Sequence, residues 1–217
     1  DLLRFYQESL IEAISGKTVL NTSIVLDLCW GSATSCGKEI FKSLGADVSV
    51  INSIPNGRKI NVNCGSTHLG PLKRAVLAKG ADMGFAFDGD ADRVLAIDGQ
   101  GRVIDGDHIL YLWGSFLKDN NNLPHNKLVT TVMSNLGFEK AWEDKGGVLE
   151  RTAVGDQNVH SAMIESRSAL GGEQSGHILS TANGLNGDGL FSALQLTSIC
   201  DGKDISFKDW RDQSFNP

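Results

Sequence analysis

The chain has 217 residues, a formal net charge of −6, 41% hydrophobic and 21% charged residues, which suits one large or two small water-soluble globular domains. The acidic balance argues against a nucleic-acid-binding surface, though it leaves room for a local basic pocket, and no apolar run is long enough to span a bilayer. Cys29, Cys36, Cys64 and Cys200 form no CxxC pair and no Cys/His cluster of zinc type, which points to reduced thiols in a cytoplasmic protein; Cys29 and Cys36 are the one pair close enough in sequence to consider for a disulfide.

Residues 2–14 place Leu2, Leu3, Phe5, Tyr6, Leu10, Ile11 and Ile14 near helical spacing, with Gly16 as the expected stop. Ile24 to Cys29 has strand character and runs into Gly31-Ser32-Ala33-Thr34. A helix from Lys38 to Leu44, stopped by Gly45, and a strand from Asp47 to Ile51 follow. This strand–loop–helix–strand order is the unit of a parallel α/β sheet. Leu69 to Lys79 predicts another helix with Pro71 in its first turn, and Met83–Phe87 and Val94–Asp98 predict strands, the second ending at the turn Gly99-Gln100-Gly101. A second block opens near Asp105-Gly106-Asp107. It predicts helices over 109–117, 136–145, 159–165 and 188–199, strands over 127–133 and 148–152, and a short strand and turn over 169–172. The two blocks, 1–104 and 105–217, each have about the usual domain size. The N-terminus lacks both an initiator Met and signal-peptide character, and the C-terminus reads as linker, so the chain is expected to be the middle of a longer protein.

Between the two strands of residues 83–98 lies Asp88-Gly89-Asp90-Ala91-Asp92-Arg93. Three carboxylates this close repel one another, and a hard divalent cation such as Mg²⁺, which prefers oxygen ligands, resolves that conflict. Gly89 and Ala91 let the loop curl so that alternate side chains converge. Arg93 suits a phosphate beside the metal. The arrangement points to phosphoryl transfer on a metal-held phosphate, although Asp and Gly after a strand are also the composition of an ordinary solvated turn. An EF-hand is ruled out by the missing Gly and terminal Glu.

Gly171-Gly172-Glu173-Gln174-Ser175-Gly176-His177 is the second informative segment. Its glycines permit close approach to a ligand, and Glu173, Ser175 and His177 alternate along an extended loop, a donor and acceptor set suited to sugar hydroxyls. A polar turn between two elements is the alternative. Gly31 to Thr34 and Cys64 to His68 each precede a helix and read as Ser/Thr caps or anion sites. Asp156, in Gly155-Asp156-Gln157-Asn158, reads as a helix cap. His108, His125 and His160 read as structural or surface residues, and the four tryptophans as packing residues.

Taken together these segments resemble the α-D-phosphohexomutase superfamily. The acidic loop is similar to its metal-binding loop, and Gly172 to His177 to its sugar-binding loop. Ile60 to His68, Thr131 to Gly137 and Gly187-Asp188-Gly189 carry the likeness further. Gln174 stands where mannose- and glucose-phosphate relatives usually have Met, which places the resemblance nearest the glucosamine-phosphate branch. Trp30-Gly31 and Gln157-Asn158 depart from the Asn-Gly and Arg-Tyr pairs common at those places. The resemblance implies an α/β fold of two consecutive three-layer α/β/α domains with mixed, mostly parallel sheets, the second and third of four. It implies reversible movement of phosphate between the 6- and 1-positions of glucosamine through a phosphoserine and a bisphosphate. Asp88, Asp90 and Asp92 would hold Mg²⁺, Arg93 would stabilise the transferring phosphoryl group, and Glu173, Ser175 and His177 would bind the sugar, His177 also assisting catalysis. The implied partners are a hexosamine phosphate and its bisphosphate and the flanking domains of the same chain, with no nucleic acid and no membrane. Mannose or glucose phosphates are the alternative substrates, and a non-catalytic metal or sugar-phosphate binding module is the alternative class. No Ser-His-Asn-Pro or Ser-Gly-Thr-Glu loop occurs in these residues.

Overall fold

A computed structural model describes residues 2–14 and 22–216; the expected stop at Gly16 lies outside them. The first sheet comprises β1 (Ser23–Asp27), β2 (Asp47–Ile51), β3 (Met83–Phe87), β4 (Val94–Asp98) and the short β5 (Val103–Ile104), in the order β2-β1-β3-β4-β5. β1 runs parallel to β2 and β3, whereas β3–β4 and β4–β5 are antiparallel. The second sheet, β7-β6-β8-β9, joins β6 (Lys127–Thr131), β7 (Val148–Thr152), β8 (Leu170–Gly172) and β9 (Ile178–Ser180). Its β6–β7 and β6–β8 pairs are parallel and β8–β9 is antiparallel.

Alternation along the strands divides the core. Val25, Ala86 and Ile97 face α3 (Gly70–Lys79), whose Leu72 and Val76 close that side. Gly84 is obligatory there, because a Cβ would stand 2.6 Å from Val76 Cγ2. Ile24, Leu26, Phe85, Phe87, Val94 and Ala96 face the opposite way into the main core. That face meets α1 (Leu2–Ala13), α2 (Gly37–Ser43), α7 (Gly189–Lys203) and α8 (Phe207–Asp212). In the second sheet Leu128 and Leu170 face α4 (Gly106–Asp119) and α5 (Leu136–Asp144), while Val129 and Leu179 face α6 (Asp156–Ser166). Helices on both faces of each mixed sheet give the expected three-layer arrangement. α7 is buried on every side from Gly189 to Ile199 apart from Gln195, as expected of a helix apolar all round. It packs on β3 and β4 as well as on α4, so the two halves share one hydrophobic core.

Ahead of the linker-like last residues lies a helix that the sequence reading does not assign. α8 is capped by Ser206, whose Oγ accepts the Asp209 N–H at 3.0 Å, and it buries Phe207 and Trp210, with Phe215 buried beyond. The expected strand over 127–133 stops at Thr131, because Ser134 and Asn135 turn away to hydrogen-bond Asp107. α4 starts at Gly106, three residues earlier than the apolar pattern predicts, because Asp105 caps it through the His108 N–H. No helix of the described residues is long and apolar enough to cross a membrane.

Candidate active site

β3 and β4 are antiparallel neighbours with Phe87 opposite Val94, so residues 88–93 form the loop of a hairpin. Ala91 at its crown takes the left-handed conformation (φ 64°), an unfavourable region for a residue with a Cβ. The loop is braced from three directions. The Ser32 N–H donates to Gly89 O at 2.9 Å, and the Gly189 N–H donates to Ala91 O at 2.8 Å. Ile60 packs so close to Gly89 that a Cβ there would stand 2.5 Å from it. Gly31 is fixed by the same crowding, since its Cβ would lie 2.2 Å from Gly89 O. The Gly31–Thr34 segment therefore supports the acidic loop. No Ser or Thr side chain caps α2 or α3, which begin after Cys36 and Leu69. Asp156 is likewise the first residue of α6 and not its cap, Gly155 taking that place.

One carboxylate oxygen from each of Asp88, Asp90 and Asp92 lies within 4.8 Å of the other two. Burial, reinforced by the neighbouring Asp92 carboxylate, lifts the Asp88 carboxyl to about 7. Asp92 Oδ2 lies 3.1 Å from His177 Nδ1, whereas Asp92 Oδ1 is buried and accepts no hydrogen bond. These features fit Mg²⁺. At Mg–O distances of about 2.1 Å, oxygens on one ion stand up to about 4.2 Å apart, so small closure suffices, and the cation would relieve both the repulsion and the orphaned oxygen. The Arg93 N–H donates to Asp88 Oδ1 at 3.2 Å, while its Nε stays 3.9 Å from Asp88 and from Asp92. The half-exposed guanidinium is thus left with donors for a ligand.

The Gly172–His177 segment is the turn between β8 and β9, and it is bonded to the acidic hairpin. Arg93 and His177 form an antiparallel bridge, and the Val94 N–H donates to Gly176 O at 3.1 Å. A cleft of about 420 Å³ opens between Arg93, Glu173, Gln174 and Ser175 on one side and Thr131, Met133 and Val154 on the other. Glu173 is held by the Gly155 N–H at 3.0 Å and by the Ser175 hydroxyl at 3.4 Å. His177 parts from Glu173 and Ser175. It is buried and lines a separate pocket of about 440 Å³ with Asp92, Asp156, Gln157 and His160. Gln174 lines the cleft while its amide reaches Asp105, with Nε2 3.4 Å from Oδ2. Beneath the acidic loop, Asp27 at the end of β1 accepts the Cys29 and Gly65 N–H groups at 3.0 Å each and Asn52 Nδ2 at 2.9 Å. Cys29 sits 3.8 Å from Cys64, not beside Cys36, and all four thiols are free and buried. Burial pushes Cys29 up to about 12 and raises Cys36, Cys64 and Cys200 as well.

Residues 4–101 match the family model for phosphoglucomutase/phosphomannomutase alpha/beta/alpha domain II, and residues 105–217 match that for domain III. The chain belongs to the phosphoglucomutase/phosphomannomutase family. Among curated proteins it is 64% identical over 217 residues to a phosphoglucosamine mutase of Prochlorococcus marinus, covering all of this chain and 47% of that protein. The chain thus spans about half the length of the curated relatives it matches. Among solved structures, a family member from Burkholderia thailandensis superimposes with a TM-score of 0.84 at 24% identity, over 98% of this chain and 46% of that one. The N-acetylphosphoglucosamine mutase of Aspergillus fumigatus, solved with GlcNAc-6P and magnesium, gives 0.78 at 22% identity, over 97% of this chain and 49% of that one. At such identities these two likenesses concern the fold.

Several residues around this family member's site escape sequence reading. Tyr6 reaches across the fold to Asp188, its hydroxyl 3.0 Å from Oδ2. Met133 and Val154 look like misplaced exposed apolar residues until the cleft is seen. His160 carries no motif but shares a pocket with Asp92 and His177. Only Asp188 had a legible signal, as an acidic residue directly before an apolar helix.

Proposed function

We propose that the protein of which this chain forms part is a phosphoglucosamine mutase, interconverting glucosamine 6-phosphate and glucosamine 1-phosphate through a phosphoserine and a bisphosphate intermediate. The observation that supports this reading is the backbone pairing of the acidic hairpin with the Glu173–Ser175 turn, which sets the three-carboxylate loop directly beside the cleft lined by Arg93, Glu173 and Ser175. The curated relative at 64% identity bears that activity in its name. Residues 1–104 and 105–217 would act as the family's second and third domains. The phosphoserine would come from outside these residues.

Asp88, Asp90 and Asp92 would hold Mg²⁺, which when bound neutralises charge on a phosphoserine and makes its phosphorus more electrophilic. Arg93 would grip the equatorial oxygens of the phosphoryl group in transfer, where negative charge accumulates. Glu173, fixed by Gly155, would accept from sugar hydroxyls, and Ser175 would donate to or accept from them. His177, buried against Asp92, would act from behind the metal site. A short loop that reads vicinal hydroxyls can hold the sugar in either of two orientations, as a bisphosphate intermediate that must turn around requires.

Glucosamine, glucose and mannose phosphates should be compared as substrates of the full-length protein, with and without Glu173→Gln. Glucosamine phosphate should be preferred, and the substitution should lower kcat/KM by about 10²-fold, the equivalent of one lost charged hydrogen bond of about 3 kcal/mol. A preference for mannose phosphate, or an unchanged kcat/KM, would overturn the assignment.

A further inference from the structure

Gly187-Asp188-Gly189 is a motif for which the proposed chemistry has no use, since none of the three residues lines the cleft with Glu173. The structure nevertheless crowds all three against the metal loop. Gly189, the first residue of α7, donates its N–H to Ala91 O at 2.8 Å, and a Cβ on it would stand 2.7 Å from Arg93 O and 2.9 Å from Ala91 O. It therefore holds the strained crown of the hairpin by a contact that only glycine permits. Gly187 lies against the Cε1–Nε2 side of the His177 ring, where a Cβ would be 2.4 Å from both atoms. The ring's other edge presents Nδ1 to Asp92 Oδ2 at 3.1 Å. Asp188 keeps the turn in place by accepting the Phe191 N–H at 2.9 Å and the Tyr6 hydroxyl at 3.0 Å.

We propose that Gly187-Asp188-Gly189 is a positioning element for the metal-binding loop, acting on Asp92 through His177 and on the loop crown through Ala91. With Oδ2 set against His177 Nδ1, the Asp92 Oδ1, buried and accepting no hydrogen bond, remains for the cation. His177 is thereby a positioning residue for a metal ligand, a role separate from any contact with sugar. Outer partners of this kind commonly change metal affinity by about 10–100-fold. The inference rests on the reading of Asp88, Asp90 and Asp92 as metal ligands.

The test is Mn²⁺ binding to the full-length protein, read as free Mn²⁺ by electron paramagnetic resonance and competed with Mg²⁺. Gly187 lies outside the left-handed region, so Gly187→Ala perturbs the ring contact without imposing backbone strain. Gly187→Ala and His177→Leu should each weaken binding by about 10–100-fold, and His177→Asn, which keeps a nitrogen donor near the Nδ1 position, should recover most of the loss. Should His177→Leu not fold, Gly187→Ala against His177→Asn supplies the same comparison. Unchanged Mn²⁺ affinity in folded Gly187→Ala protein overturns the proposal, and so does failure of His177→Asn to bind better than His177→Leu. Asp90→Asn separates the two levels. If it leaves Mn²⁺ binding untouched, the metal-loop reading itself fails; if it weakens binding while Gly187→Ala leaves the affinity unchanged, only the positioning role fails.

Discussion

Asp90→Asn should change stability in opposite directions with and without metal. Asp90 is exposed, and its carboxylate lies within 4.8 Å of those of Asp88 and Asp92. Two unit charges 4.8 Å apart repel by about 1 kcal/mol in bulk water and about 3.5 kcal/mol at an effective dielectric of 20. Exposure places Asp90 near the lower figure. Because Asp88 retains its proton up to about pH 7, Asp90 faces one to two such charges near neutrality. The metal-free variant should therefore be about 1–2 kcal/mol more stable than the parent, a rise in Tm of roughly 2–8 °C for a unit of this size. With saturating Mg²⁺ the order should reverse, since a cation bound to the native state stabilises by mass action and the variant lacks a ligand. Thermal melts of both proteins in chelator and across a Mg²⁺ series would read this out. A variant that melts lower than the parent in chelator, or that gains as much from Mg²⁺, would refute the view of the triad as a repulsive cluster awaiting a cation.

Two further outcomes follow from the same loop. The Asp88 carboxyl is raised from its ordinary value to about 7, so its contribution to metal-free stability is present at low pH and lost as pH rises through about 7; the Mg²⁺-induced rise in Tm should be larger at pH 8 than at pH 6, and an equal rise at both would count against it. Asp27→Ala removes the acceptor for the Cys29, Asn52 and Gly65 donors, which should cost about 3–5 kcal/mol in urea unfolding, whereas a loss under about 1 kcal/mol would show that water replaces the carboxylate.

The elements that could be read in the sequence were those with a long enough pattern. β1, β2, β3 and β4 and the helices α1, α3, α5 and α7 lie where apolar spacing and Gly or Pro boundaries place them. β5 and β9 have two and three residues, too few for a period, and exist because β4 and β8 offer them an edge. α8 was readable by a different rule, because Ser206 and Asp209 form a capping pair three residues apart, although its six residues are too few to show a period. The acidic loop was legible because charge repulsion is a local property of neighbouring residues. The division between Glu173 and Ser175 on the cleft and His177 in the next pocket was not, since it depends on where β9 begins. The caps assigned to Ser32, Thr34 and Asp156 failed for a common reason. Backbone contacts to the acidic loop and to Glu173 hold those segments, and such long-range bonds leave no trace in local sequence.

Neither half should fold without the other. The inner face of the first sheet is closed in part by α7 and α8, which follow residue 105. Phe85 meets Phe207 of α8 at 5.9 Å between ring centroids, and Met83 Sδ lies 3.7 Å from Thr197 Oγ1 of α7. Arg102 reaches across to Asp212 and to Lys208 O. Cutting between 104 and 105 would bare Met83, Phe85, Val94 and Ala96 on one side and α7 and α8 on the other. At about 1.5–3 kcal/mol for each large apolar side chain, uncovering several on each piece would remove about as much as the 5–15 kcal/mol that holds a typical domain together. Residues 1–104 and 105–217 expressed separately should each lack a cooperative melt, and mixing them should restore one. If 105–217 alone gave a sharp transition and dispersed amide resonances, the shared core would be a contact between finished domains. The spacing between metal loop and sugar loop would then depend on local contacts, the hairpin bonds at Arg93 and Val94 and the Asp92–His177 pair, and substitutions in α7 far from the site should leave metal affinity unmoved.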